Sequence, residues 1–323
     1  MIKKQDLIKH RAQYRSFIFG LLLLQVGFSE FGGGYAGASF RYASNARELS
    51  LGSAMVAEPN KGFHQLGNPA LTMFTRGEEA GISLLSMSLD RSVQVGSVNM
   101  ILPPRAAIGF SFYRSATDNI GGRDLMGNPV GTFSVSDKMG MLSFSQYVSD
   151  HLSVGLNLKA VFNSLPGKLN AQGIGLDLGF VYILSDDVRF GGKIENLAGN
   201  TTWKFDSGGT DTEDFPKVFS LGTSVNVQSI QLKLLLQSDT FFIPGQGNES
   251  RLNAGVEYSL RSIPSIKLRA GVHNNKPVIG FGLRIKSPGG TAINADYALD
   301  PGIENEGASQ VFSLVLNLGL HAL

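Results

Sequence analysis

The 323-residue chain contains no cysteine, which removes disulfides, thiolate metal sites and cysteine nucleophiles at once. It has a single tryptophan, only 17% charged residues and a near-neutral formal charge of +2. No basic stripe interleaved with aromatics occurs, so a nucleic-acid partner is not expected. No apolar run reaches the ~18 residues that a membrane-spanning helix needs. The five histidines (His10, His64, His151, His273 and His321) are scattered without ligand spacing, so no metal site is expected, and no cofactor. Gly173 and Gly175 with Asp177 are superficially like a phosphate loop, but they lie inside a strand and open no helix. Glu78-Glu79 and Asp186-Asp187 are neighbours that in a strand point to opposite faces, which does not make an acid–base pair. No serine elbow or serine–histidine arrangement stands out. The residues suggest no enzyme.

What is abundant is glycine, 40 residues, with a hydrophobic content of 42% and a mean hydropathy of +0.04. That balance is too polar for a helical membrane protein. It suits strands that alternate between lipid and water. The N-terminus carries Lys3, Lys4, Lys9, Arg11 and Arg15 ahead of an apolar run from Phe17 to Phe28. A basic leader followed by about a dozen apolar residues has the order of a secretory signal, and is too short to span a bilayer as an anchor helix. We assign 1–29 to the signal.

Beyond residue 80 the apolar residues repeat with period two. Ile174, Leu176, Leu178 and Phe180 alternate with Gly175, Asp177 and Gly179; Phe312, Leu314, Leu316 and Leu318 share one face of the last segment. Strands are expected near 81–90, 92–101, 105–115, 138–148, 151–164, 172–184, 187–198, 217–227, 229–240, 250–260, 265–274, 278–286, 291–300 and 308–320. Each is about ten residues, the length of a tilted membrane strand. The connections test the count independently. Leu102-Pro103-Pro104, Ser149-Asp150, Ser185-Asp186, Gln228, Arg261–Pro264 and Ser287–Gly290 are short and rich in turn residues. The long connections, Ala116–Asp137, Gly199–Pro216, Phe241–Glu249 and Pro301–Gly307, all fall at the opposite end. A pair of soluble β-sandwiches would alternate too, but its loops would show no such parity. The expectation is an all-β chain, a transmembrane antiparallel β-barrel of about 14 strands over 81–323, in the outer membrane and in contact with its lipids.

Residues 30–80 break the pattern with glycine, proline and short helical stretches, and are expected to plug the lumen or sit at its mouth as a hatch. Asn68-Pro69-Ala70 is the candidate hatch motif. Proline removes a backbone donor and biases Asn68 away from the helical region, leaving its side chain to fix a turn. The alternative is a turn that only leads into the first strand. As a hatch it would hold the segment against the inner wall, with Arg269 and Arg284 meeting its free carbonyls. Lys159, Asp177, Lys193, Glu195, Glu257, Arg269, Arg284 and Asp296 fall on the inward face as lumen-lining candidates, and so do Arg189, Lys233 and Lys267. They either shape a polar conduit or pair to fill a plugged lumen.

The block Ala38-Ser39-Phe40-Arg41, Ala46-Arg47-Glu48-Leu49 and Leu51-Gly52-Ser53-Ala54-Met55-Val56-Ala57, followed by Asn68-Pro69-Ala70-Leu71, resembles the PorV/PorQ family of outer-membrane proteins, a branch of the FadL-type transporters. Further similar blocks are Trp203-Lys204-Phe205, Asn253-Ala254-Gly255-Val256-Glu257-Tyr258, Leu268-Arg269-Ala270-Gly271-Val272 and Asp296-Tyr297-Ala298-Leu299. The resemblance implies a fourteen-stranded barrel with an N-terminal hatch. It implies two functions: handling of secreted cargo with type IX secretion subunits as partners, or FadL-like uptake of hydrophobic compounds such as long-chain fatty acids. A structural envelope barrel is a third reading. The chain departs from the FadL pattern in being shorter, with smaller external loops, and in ending on Leu323 rather than phenylalanine.

The location has a direct test. The mature protein is expected to fractionate with outer membranes and to shift its migration on a detergent gel after heating; recovery from the soluble periplasm would refute it.

Overall fold

The computed structural model describes residues 34–165, 169–205, 208–273, 275–286, 291–302 and 307–318. The expected signal, 1–29, lies outside the described residues. The chain enters through short helical pieces: a 3-10 turn Ala38–Arg41, helix α1 (Ala46–Ser50), helix α2 (His64–Gly67) and a second 3-10 turn, Pro69–Phe74. Fifteen strand segments follow. They are β1 (Glu78–Met87), β2 (Arg91–Leu102), β3 (Ala106–Arg123), β4 (Pro129–Ser149) and β5 (Leu152–Leu165). Next come β6 (Leu169–Ser185), β7 (Val188–Lys204), β8 (Thr210–Asp214), β9 (Lys217–Val227) and β10 (Leu232–Ile243). The last are β11 (Gly247–Ser259), β12 (Ile266–His273), β13 (Lys276–Lys286), β14 (Ala292–Asp300) and β15 (Ser309–Asn317).

Every pairing is antiparallel and nearly every strand bonds its sequence neighbours. β1 also pairs with β15, Gly81 opposite Val315 and Leu84 opposite Phe312, and this closes the sheet. β8 pairs only with the far end of β7 and continues through Phe215-Pro216 into β9, so β8 and β9 act as one interrupted strand. The result is a closed fourteen-stranded barrel. Closure is what the bilayer demands, because it leaves no strand edge unpaired in hydrocarbon.

The faces are inverted relative to a soluble protein. Ile82, Phe110, Ile174, Phe281 and Phe312 stand exposed on the outside, while Ser97, Ser111, Ser143, Asn157, Gln237, Asn253 and Glu257 are buried inside. An outward apolar band around a polar interior is the arrangement a lipid-facing barrel requires. The protein is therefore an outer-membrane barrel.

The strand ends differ from the expected ones where the chain leaves the lipid. Ala116–Asp137 is not a loop. β3 and β4 run on as an exposed hairpin, 18 and 21 residues long, that turns at 124–128. Likewise Gly199–Pro216 is mostly the outer part of β7 and its partner β8. A ladder standing in water needs no apolar face, so these extensions carry no period-two signal. The first strand begins and ends three residues early, at Glu78 and Met87, and Ser88–Asp90 forms the turn that ends it. Leu89 and Asp90 both take left-handed backbone there (φ 61° and 54°), a conformation that leucine does not advertise.

The extended hairpins all lie at one end of the barrel, opposite the turns after β2, β4, β6 and β9. Since outer-membrane barrels keep short turns at the periplasmic end, an epitope tag inserted within 124–127 is expected to be reachable on intact cells. One at Ser185-Asp186 is not. The reverse labelling pattern would invert the topology.

Candidate functional site

Residues 35–75 lie inside the barrel, where most of them are buried. Two devices hold them there. The first is backbone contact across glycine. Leu51-Gly52 packs against Gly255 and Gly271 of β11 and β12, so closely that a Cβ on any of these glycines would overlap backbone atoms. Gly155 and Gly179 likewise receive Pro69, Ala70 and the Asn68 side chain. The second is hydrogen bonding from inward polar side chains to the plug. Ala46 N donates to Ser313 Oγ at 2.8 Å and Val56 N to Gln237 Oε1 at 2.8 Å. Ser153 Oγ donates to Ala70 O at 2.8 Å, and Asn157 Nδ2 to Gln65 O at 3.1 Å. Each of these plug groups would otherwise be buried without a partner, at a cost of about 1–3 kcal/mol.

Asn68 is fully buried. Its Oδ1 accepts from Ala70 N at 3.0 Å and so caps the turn that Pro69 begins. Its Nδ2 donates to Val56 O at 2.7 Å and to Phe180 O of β6 at 3.1 Å, with Gly192 O of β7 at 3.3 Å. The motif thus bears on the wall at β5–β7. The expectation that Arg269 and Arg284 meet hatch carbonyls does not hold. Arg269 is taken up by Glu257 and Asp296, and the arginines that bond plug carbonyls belong to the plug itself: Arg47 to Pro59 O at 2.8 Å and Arg41 to Ala38 O at 3.3 Å.

Charge supplies the strongest anchor. Arg47 of α1 reaches Glu58 at 2.8 Å and Glu257 of β11 at 3.1 Å. Glu58 is bound also by Lys233 and by Ser224 Oγ at 2.8 Å, with Arg189 at 3.7 Å. Glu257 continues to Arg269 at 2.7 Å, and Arg269 to Asp296 at 2.6 Å. The chain of pairs therefore runs from the plug through β10, β11, β12 and β14. Burial alone would push the Glu58 carboxyl up, but Lys233 and Arg47 outweigh it and hold it down at about 2.

The plug divides the lumen. Above α1, toward the extended hairpins, lies a chamber of about 190 Å³. Its apolar wall is Phe40, Met55, Tyr113, Met139, Met141, Val161, Phe215 and Phe241; Lys159–Asp177 and Lys193–Glu195, paired at 2.6 and 2.7 Å, line one side. Glu48 of α1 faces this chamber and is bonded by Ser44; burial pushes its carboxyl up. Below α1, toward the short turns, lies a second cavity of about 300 Å³, which contains Arg47, Glu257, Arg269, Arg284 and Asp296. The eleven inward charges singled out from sequence thus separate by cavity, four in the upper and seven, including Arg189, Lys233 and Lys267, in the lower.

Asn196 and Phe215, which sequence reasoning passed over, complete the upper chamber together with Pro216. β7 leaves β9 after the Glu195–Val218 pair and meets β8 only at Asn200–Asp214. Between them Asn196 takes a left-handed φ of 54°. Its backbone N donates to Asp177 Oδ1 at 2.9 Å and its side chain to Pro216 O at 2.8 Å. The wall is interrupted here, and Phe215 fills the break. Phe215 lines the chamber on one side and, on the other, an outer notch of about 600 Å³ with Leu197, Phe242 and Ile243. One signal was available: a proline inside a barrel strand has to sit at a bulge or break.

No protein-family model matches the sequence, and no curated protein matches it. Solved structures do match. The toluene transporter TodX of Pseudomonas putida is similar with a TM-score of 0.58 at 12% identity, over 85% of this chain and 96% of that one. The toluene transporter TbuX of Ralstonia pickettii gives 0.54 at 16%, over 84% and 96%. A Pseudomonas aeruginosa FadL homologue gives 0.55 at 13%, over 85% and 98%. The barrel has a FadL-like fold.

The anchor has a pH signature. The folded-state pKa of Glu58 lies below its unfolded value, so its contribution is complete above about pH 4.5 and is lost as pH falls toward 2. Hydrogen exchange of amides 46–58 is expected to accelerate in that window. Glu58→Gln should loosen the same amides already at pH 7, by about 3 kcal/mol, because Lys233 and Arg47 lose a buried counter-charge. Equal protection in the variant would show that the network does not hold the plug.

Proposed function

We propose that this chain is an outer-membrane channel for small hydrophobic compounds, with the upper chamber as the binding site and residues 35–75 as its hatch. The observation that carries the reading is the chamber of about 190 Å³, walled on one side by Phe40, Met55, Tyr113, Met139, Met141 and Val161, set behind the wall break that Phe215 fills. An apolar cavity of roughly 150 Å³ accepts benzene in another protein, so single aromatic rings suit this volume. The toluene transporters named above share the fold and support the same size class. A hydrophobic solute has reason to enter through the wall here, since Leu197, Phe215, Phe242 and Ile243 offer it apolar side chains beside the break. Onward passage requires α1 to yield, which places the Arg47 network across the route.

The cargo-handling reading has the sequence blocks quoted above and nothing further. The two toluene transporters favour small hydrophobic molecules over secreted proteins as partners. The fatty-acid variant of uptake fits less well, because the chamber is small, about 190 Å³, and two ion pairs stand in its wall.

Toluene uptake by cells carrying the barrel tests this. Val161 is buried in the chamber wall, and Val161→Trp should fill the space and reduce uptake at least tenfold while the heat-dependent gel shift is retained. Uptake no faster than in cells lacking the barrel would reject the proposal.

A further inference from the structure

The lower cavity lies beyond α1 on the way to the short turns, and its chemistry is not what the passage of a neutral solute calls for. Eight cationic side chains line it against four carboxylates. All four carboxylates are engaged: Glu58 and Glu257 by the plug network, Asp296 by Arg269, and Glu79 by His64 at 3.0 Å, Gly62 N at 2.8 Å and Asn317 at 3.0 Å. Lys61 and Arg284, in contrast, form no ion pair within the described residues.

A second observation points the same way. The cavity lining holds buried N–H groups without an acceptor: Asn60 Nδ2, Asn294 Nδ2, Arg284 Nε and Arg189 Nε. Asn60 is 1% exposed. Among the described residues, the fully buried lining atoms without a partner are these donors and His64 Nδ1, whose role depends on its tautomer. A buried donor without a partner is costly, and a buried cation more so. What such a set lacks is an acceptor that carries negative charge and several lone pairs.

We infer that the cavity at the short-turn end is a binding site for a small oxyanion, a carboxylate or a phosphate group, held by Lys61, Arg284 and the amide of Asn60. The residues come from the plug and from β13, so the bound anion ties the hatch to the wall beside the Arg47 network. Lys61 agrees with this excess of positive charge: burial first, then Arg284 and Arg47, push its ammonium down to about 8. A nearby anion would reverse the last two effects.

The test is calorimetric titration of the full chain in detergent with acetate and with inorganic phosphate, in chloride buffer of constant ionic strength. Saturable binding of at least one is expected. The affinity should fall at least tenfold in Lys61→Gln and in Arg284→Gln and stay unchanged in Lys286→Gln, which removes the same charge outside the cavity. Tighter acetate marks a carboxylate ligand and tighter phosphate a phosphate ester. Should Arg284→Gln fail to fold, Lys61→Gln decides. Three results overturn the inference: no saturable heat with either anion, equal loss in Lys286→Gln, or displacement by chloride at equal concentration, the mark of an adventitious ion only. Because no transport is measured, failure here leaves the uptake proposal standing, and failure of uptake leaves this site standing.

Discussion

Arg47 is the residue on which the interior depends. It stands between a carboxylate of the plug, Glu58, and one of the wall, Glu257, and is itself largely buried. Removing a charge from water costs several kcal/mol, which only good geometry and further partners offset. That condition propagates. Two carboxylates on one arginine require more cations, and Lys233, Arg189, Lys267 and Arg269 provide them. Arg269 in turn requires Asp296. Inward charge on five strands is thus explained by one helix of five residues.

The same constraint acts on uncharged groups. A barrel must turn polar residues inward if lipid is outside, and a filled lumen must then satisfy them. The plug does so with backbone rather than with an apolar surface, which is why a Ser, Asn or Gln of the wall meets a plug N–H or C=O at so many points. Such bonds need close approach, and wall glycines permit it. Gly255 and Gly271 admit Leu51-Gly52, and Gly155 and Gly179 admit the Asn68–Ala70 turn. The high glycine content is therefore tied to the plug as much as to the turns.

Much of this was legible in the residues. Period two, strand length and loop parity specify a closed barrel because lipid imposes an apolar face on every strand it touches. Legibility ended where lipid ended. β8 and the hairpin of β3 and β4 stand in water, face no hydrocarbon and leave no periodic trace. Within the lumen, alternation identified Lys159, Asp177, Glu257 and Arg269 as inward. It could not say which of them meet, because partners such as Arg47 and Glu257 lie 210 positions apart. Asn68 was readable as a turn former through Pro69. Its wall contacts on Phe180 and Gly192 were not, since backbone carbonyls carry no sequence signature.

The wall break shows how a membrane barrel tolerates missing ladder bonds. Between Asn196 and Gly199, β7 lacks a regular partner on the β9 side, and in lipid each unpaired backbone group costs several kcal/mol. The groups are satisfied locally instead: Asn196 N by Asp177, Pro216 O by the Asn196 side chain, and Gly199 O by Phe215 N at 3.1 Å. Asp177 is held by Lys159, and Lys159 also bonds Asn196 Oδ1 at 2.6 Å. The ion pair at the side of the chamber is therefore the support of the break rather than a feature of a conduit. With the polar groups answered from within, Phe215 fills the space beside them and borders both the chamber and the outer notch. An aromatic ring has no hydrogen bond to lose by moving, so the group that stands between the outer notch and the chamber is an apolar one.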